Sequence, residues 1–354
     1  MLPFSLKTTP LEIKALILVG LSVLLIACET VSYYTQAARG QMAIVFGRED
    51  IQRLLSSEKL PSDLAEKFTA VLAIRDFAER ELRLPVGDNY RTYVDVEREH
   101  VVWNVFAAPE FSTEAVNWCY PIAGCVAYRG YFSEAAALKF ATESERQGFD
   151  VYTGGVDAYS TLGWFDDSLL STVLSRPDYQ LASLIFHELA HQVVYVPGDT
   201  TFNESFATAL ETEGLRRWLL QRNQADTIAI ASISRGKQQQ FVELVSVYRE
   251  KFDALYQQEL QVEVMRERKQ ALQQQLRVDY EASKAQWDGN GGYDNWFSDS
   301  LNNAQLSTVS SYNDLVPFFQ QLLTQVDGDL EAFYQRVGEI AALDAEQREQ
   351  ITLK

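Results

Sequence analysis

The chain has 354 residues, 47% of them hydrophobic, and a formal charge of −18. Such a length supports a large packed core, and 49 acidic against 31 basic residues argue against a nucleic-acid or polyanion partner, which needs clustered Lys and Arg. With only 3 cysteines and 3 histidines, each of these residues is informative.

At the amino end, Lys7 and Lys14 lead into an uninterrupted apolar run, Ala15 to Ala27, that closes in Leu25-Ile26-Ala27-Cys28. The run is shorter than the roughly 20 residues that span a bilayer. A Cys directly after small and aliphatic residues fits cleavage and acylation, so residues 1–27 read as a secretory signal with a lipobox and Cys28 as the lipidation site. A plain transmembrane anchor is the alternative. Glu29 in place of Asp points, by likeness to bacterial lipoproteins, to the outer membrane, with the protein facing the periplasm. Export into an oxidising compartment favours a disulfide between Cys119 and Cys125, against two separate buried thiols.

Residues 28–40 read as a lipidated tether. Helical patterns follow over Gln41 to Leu55 and Ser62 to Leu82, and then alternation at Tyr93-Val94-Asp95-Val96 and Val101 to Phe106 predicts strands. His100 falls between them and is expected to be a solvated turn residue. A strand over Cys125 to Phe132, a helix over Ser133 to Gln147 and a strand near Phe149 to Tyr152 come next. Gly154 and Gly155 open a loop that carries Asp166 and Asp167 just before the most informative stretch.

That stretch is Phe186-His187-Glu188-Leu189-Ala190-His191-Gln192, an HExxH motif in an apolar helix predicted from Pro177-Asp178 to about Tyr195. Residues four apart share one helix face, so both imidazoles can reach one zinc ion, with Glu188 projecting beside them toward a water. Leu181, Leu184, Ile185, Phe186, Leu189, Val193 and Val194 surround the motif. Burying two imidazoles and a carboxylate there without a partner costs several kcal/mol, which a metal removes. No histidine follows His191, so a carboxylate is the expected third ligand, Glu204 or alternatively Glu211 on the next helix. Thr201-x-x-Glu204 also fits a capping box without any metal. Both acids recur at helical spacing, so one can ligate while the other supports a ligand.

Asn203-Glu204-Ser205-Phe206-Ala207 resembles the Asn-Glu-x-x-Ala element of the gluzincins, the zinc peptidases whose second helix supplies a Glu ligand. The aminopeptidase N group is similar in both elements, but the loop between them is shorter here and no Gly-x-Met-Glu-Asn segment is present. A closer resemblance is to bacterial lipoproteins described as predicted aminopeptidases, through Tyr120-Pro121-Ile122-Ala123-Gly124-Cys125, Tyr128-Arg129-Gly130-Tyr131-Phe132, Gly163-Trp164-Phe165-Asp166-Asp167 and Leu301-Asn302-Asn303-Ala304. The resemblance implies an α+β, mainly helical fold with a zincin-like core, peptidase activity, one zinc ion per chain and peptide substrates.

Tyr128-Arg129-Gly130 is the expected edge strand for substrate backbone, with an ordinary sheet strand as the alternative. Asp166 or Asp167 is expected either to hold a substrate amino terminus or to cap a short helix, and Tyr312, Tyr128 and Asn303 are candidate oxyanion donors. Gln238 to Lys284 reads as a long helical hairpin, Gly289 to Gly292 as a break, and Leu315 to Thr324 and Leu330 to Leu343 as packing helices. The expected organisation is therefore a catalytic core over 41–235, the hairpin over 236–288 and a helical part over 289–354. An aminopeptidase is the leading function. An envelope endopeptidase shares every catalytic residue, and a non-catalytic zinc lipoprotein that binds a partner is the remaining alternative.

Overall fold

A computed structural model describes residues 31–120, 124–158, 166–287, 289, 292–309 and 314–352. The apolar amino-terminal run, Cys28 and Tyr312 lie outside the described residues. The fold is α+β and mainly helical, as expected.

Where a tether was expected, residues 31–46 form a helix, α1. It is held by docking: the Gln36 amide donates to the Gly130 carbonyl at 3.4 Å and accepts from the Phe132 N–H at 3.0 Å. A Cβ on Gly40 would overlap the Phe132 ring, so only glycine lets the helix come this close. Ile44 is buried with Val94, Val101 and Val102.

The strands make two small sheets and a hairpin. In the first sheet, β2 (Thr92–Val94) pairs antiparallel with β1 (Glu49–Asp50) and parallel with β8 (Leu169–Leu170). In the second, β3 (Val102–Pro109) lies between β6 (Arg129–Tyr131) and β7 (Phe149–Val156), antiparallel to both. The single strand expected over 125–132 is divided: β5 (Gly124–Val126) pairs with β4 (Trp118–Tyr120), and β6 joins the larger sheet. Cys119 and Cys125 face each other across β4 and β5 and are disulfide-bonded. Helix α4 (Glu134–Arg146) buries Ala137 and Ala141 against Trp103, Val105 and Tyr131.

The main core is helical. Around α5 (Asp178–Ala190) and α6 (Thr200–Gln221) pack α3 (Ser62–Arg80), α11 (Val316–Gln325) and α12 (Leu330–Ala341), burying Phe68, Phe186, Phe206, Phe319 and Phe333 completely. Each such side chain contributes about 1.5–3 kcal/mol by leaving water. Gly214 in α6 permits the close contact with α5, since a Cβ there would stand 2.8 Å from Leu82 and 3.0 Å from Phe186.

The long helices are α7 (Ala225–Tyr256) and α8 (Val262–Ala285), joined through Phe241, Val245, Tyr248, Phe252, Leu276 and Tyr280. The border expected between 235 and 236 falls inside α7, which runs unbroken across it. Lys269 of α8 ties the hairpin to the larger sheet through Asp150 at 2.5 Å. Among the described residues no helix is long and apolar enough to cross a membrane.

Candidate active site

Helix α5 begins after Pro177, with Asp178 in its first turn and paired to Lys67 at 2.8 Å. An acid at this positive end of the helix dipole favours the start. The helix stops at Ala190 instead of near Tyr195, and His191 is its C-cap. Beyond it the N–H groups of Gln192 and Val193 turn back to Leu189 and Ala190. The following loop is clamped by Asn203, whose amide accepts from Val196 N and donates to Val196 O, both at 2.8 Å.

Asp199, not Thr201, caps α6: its carboxylate accepts from Phe202 N at 3.0 Å, while Arg348 holds the other oxygen at 2.7 Å. Thr201 already lies inside the helix, so the alternative capping box does not form. Glu204 is thereby turned toward the histidines of α5.

His187 Nε2 stands 3.2 Å from Glu204 Oε2, and His191 Nε2 stands 3.6 Å from Glu204 Oε1. The two imidazoles are 4.9 Å apart and nearly perpendicular, at 84°. One ligand atom from each of His187, His191 and Glu204 lies within 4.8 Å of the others, so this group can hold a metal ion. Glu211 sits on the opposite nitrogen: its Oε2 is 3.3 Å from His187 Nδ1, and its Oε1 accepts from Arg235 at 3.1 Å. A carboxylate on the far nitrogen fixes the ring's orientation and makes the facing nitrogen a better donor.

The electrostatics suit a cation. Burial disfavours the charged form of His187, but its hydrogen bonds to Glu204 and Glu211 and the charges of Glu211 and Glu188 outweigh it and push the imidazole up to about 10. His191, desolvated and beside that charged ring, is pushed down to about 4. Burial opposes ionisation of Glu204 too, yet the two histidines hold its carboxyl below the usual range. A proton on His187 thus takes the place a metal cation would take, among nitrogen and oxygen donors of the kind zinc prefers.

Glu188 follows His187 on α5 and lines a small recess with Tyr90, Ser168 and Leu184. Burial first, then the nearby Glu188 and Asp167 carboxylates, push the Tyr90 phenol well above its ordinary value, so it keeps its proton. Its backbone is left-handed, φ 54°, a conformation that costs a bulky residue about 1–3 kcal/mol. The bond from Tyr90 N to Asp167 O at 2.6 Å helps to hold it.

A cleft of about 670 Å³ opens over His187, Glu204, Thr208 and Glu211. Its far wall is α7, through Arg235, Gln238, Val242, Glu243 and Ser246, with Asp314 and Gln320 at one end. A second cleft of about 310 Å³ shares His187, Glu211, Arg235 and Gln238 and continues past Arg176, Tyr179 and Ser183. Neither the cleft-facing residues of α7 nor Tyr90 was found from the sequence. The apolar face of α7 reads as packing, and nothing local to Tyr90 marks it.

Several expected substrate residues lie elsewhere. Asn303 is fully buried, with its amide donating to Pro109 O and Glu110 O and accepting from Tyr256, so it ties the hairpin to β3 and has no donor left for an oxyanion. The Arg129 guanidinium lies over the Tyr33 and Phe140 rings, and the outer edge of β6 is covered by Gln36 of α1. Tyr128 packs beside Phe106, and neither it nor Arg129 lines either cleft. Asp166 is exposed and Asp167 buried, and neither caps a helix, since the short 3-10 turn at Ser171–Val173 starts from Leu170 without a side-chain cap. His100 is not a solvated turn residue: its Nδ1 meets Asp157 at 2.6 Å and its ring covers Gly155.

A family model described as "putative aminopeptidase" matches residues 32–352. No curated protein and no solved structure matches the chain. A match over nearly the whole described length, together with a pocket built from two histidines and a glutamate, assigns the chain to this putative aminopeptidase family and supports a peptidase function.

Proposed function

We propose that the protein is a zinc peptidase with a zincin-like core, cutting peptides at their amino ends. The observation that carries this is the convergence of His187 Nε2, His191 Nε2 and Glu204 on one point, with Glu188 next in line on the same helix. Zinc supplies Lewis-acid polarisation of a carbonyl and lowers the pKa of a water to roughly 7. Glu188, which is outside the ligand set, accepts the proton from the attacking water and delivers it to the leaving amine. Tyr90 keeps its proton in the recess it shares with Glu188 and lines neither cleft. Glu211 and Arg235 hold the His187 ring in place.

Glu243 and Asp314 face the larger cleft and suit a substrate ammonium better than Asp166 and Asp167, which line neither cleft. A second reading, internal cleavage, is favoured by the meeting of the two clefts at His187, which leaves room for chain on both sides. A library of free and acetylated peptides separates the two. Stepwise loss of residues from free peptides alone supports an aminopeptidase, and equal internal cuts in both pools support an endopeptidase. Glu188→Gln is expected to keep the metal and lose cleavage in either case, and a variant that still cleaves would remove the assigned base.

A further inference from the structure

Helix α1 has two unlike faces. Tyr33, Gln36, Gly40 and Ile44 face the protein, through stacking of Tyr33 with Tyr120, the Gln36 bonds to Gly130 and Phe132, and burial of Ile44. On the other side Val31, Tyr34, Met42 and Phe46 are 64%, 43%, 44% and 79% exposed. With exposed Ala38 they recur at intervals of three and four residues, so they form one apolar stripe along the helix. Arg39, also exposed, flanks it.

The chain on the amino side says what covers this stripe. The apolar run Ala15 to Ala27 ends at Cys28, three residues before Val31. Three residues reach about 11 Å at most. With Cys28 acylated or the run inserted, Val31 lies within that reach of the bilayer surface. From there residues 31–46 of α1 extend about 24 Å, long enough to lie along the headgroup region as interfacial helices do.

We propose that the outward face of α1 rests on the lipid bilayer, with Met42 and Phe46 dipping to the acyl boundary and Arg39 at the phosphate level. The inward face is fixed to the larger sheet, so α1 sets the orientation of the whole catalytic body on the membrane. A flexible tether would leave that orientation free. The proposal rests on membrane insertion of the amino-terminal run and is independent of the peptidase reading.

The test uses the full chain in vesicles of phosphatidylethanolamine and phosphatidylglycerol that carry a trace of diazirine-tailed phosphatidylcholine. After flotation and illumination, labelled peptides are mapped by mass spectrometry. Label is expected within residues 31–46 and not at Val262, Val264 or Val278 of α8, which are 45%, 38% and 52% exposed. A Met42→Gln, Phe46→Gln double variant should still float and lose the α1 label. Flotation with α1 unlabelled overturns the proposal. A chain that does not float refutes the anchoring and the docking together.

Discussion

Replacing Glu211 by Gln separates the metal ligand from the residue that supports it. The substitution keeps the side-chain shape but removes a charge that serves both His187 Nδ1 at 3.3 Å and Arg235 at 3.1 Å. A hydrogen bond to a charged group is worth about 1.5–3 kcal/mol, and 1.4 kcal/mol is tenfold in an equilibrium constant, so zinc affinity should fall about ten- to a hundredfold. The Glu211 and Arg235 side chains are only 19% and 26% exposed, so solvent screens this pair little. Glu204→Ala removes an oxygen that faces both Nε2 atoms and should lose most metal binding outright. Competition against a chelator dye measures both constants on one scale. Unchanged affinity in Glu211→Gln would leave that carboxylate with no part in the site, and complete loss would make it the ligand.

Other expectations follow from the same geometry. In the metal-free protein, imidazole resonances should show His187 still protonated at pH 8 and His191 still neutral at pH 5; two ordinary titrations near 6.5 would contradict the carboxylate arrangement. Because the His187 pKa rises on folding from 6.5 to about 10, its stabilisation of the metal-free fold is complete below 6.5 and lost as pH climbs through 10. Denaturant melts of that form should therefore weaken over this window, and zinc-loaded protein, in which the metal would take the place of the proton on His187 Nε2, should not show the same decline. Arg235→Ala should weaken zinc binding less than Glu211→Gln, and an equal or larger loss by the same dye assay would mean Arg235 acts by another route. Asn303→Ala strands the Tyr256 hydroxyl in the interior, while Pro109 O and Glu110 O keep Ser112 N and Lys269 Nζ, and should cost about 1–3 kcal/mol by melting, with cleavage per folded molecule retained. Lost cleavage at unchanged stability would return Asn303 to the chemistry.

The metal group was legible because HExxH places its histidines on one helix face whatever the rest of the fold does. Glu204 was favoured over Glu211 by its Asn-Glu-x-x-Ala context, but whether Thr201 capped α6 ahead of it was not legible. Asp199 and Thr201 are both competent caps in sequence, and only the Arg348 contact from the far end of the chain shows that Asp199 is held in that role. Helix α1 reads as a tether over Val31 to Gly40 because the residues that dock it, Gln36 and Gly40, are polar or small and carry no signal of their partners. It is stabilised by a sheet edge nearly a hundred residues away, through Gln36. The wall of the cleft was hidden for a similar reason: Arg235, Gln238 and Glu243 look like the solvated side of a hairpin until α7 is laid across α6. His100 and Asn303 read as surface or catalytic groups because their partners, Asp157 and Tyr256, are distant in sequence.

The most direct test of a zinc peptidase is to strip the protein with chelator, return zinc in measured fractions, and follow hydrolysis of an unblocked peptide. The arrangement of His187, His191 and Glu204 predicts that activity is absent at the start and rises linearly to a break at one zinc per chain. Hydrolysis that proceeds without metal, or a break at any other stoichiometry, would contradict it.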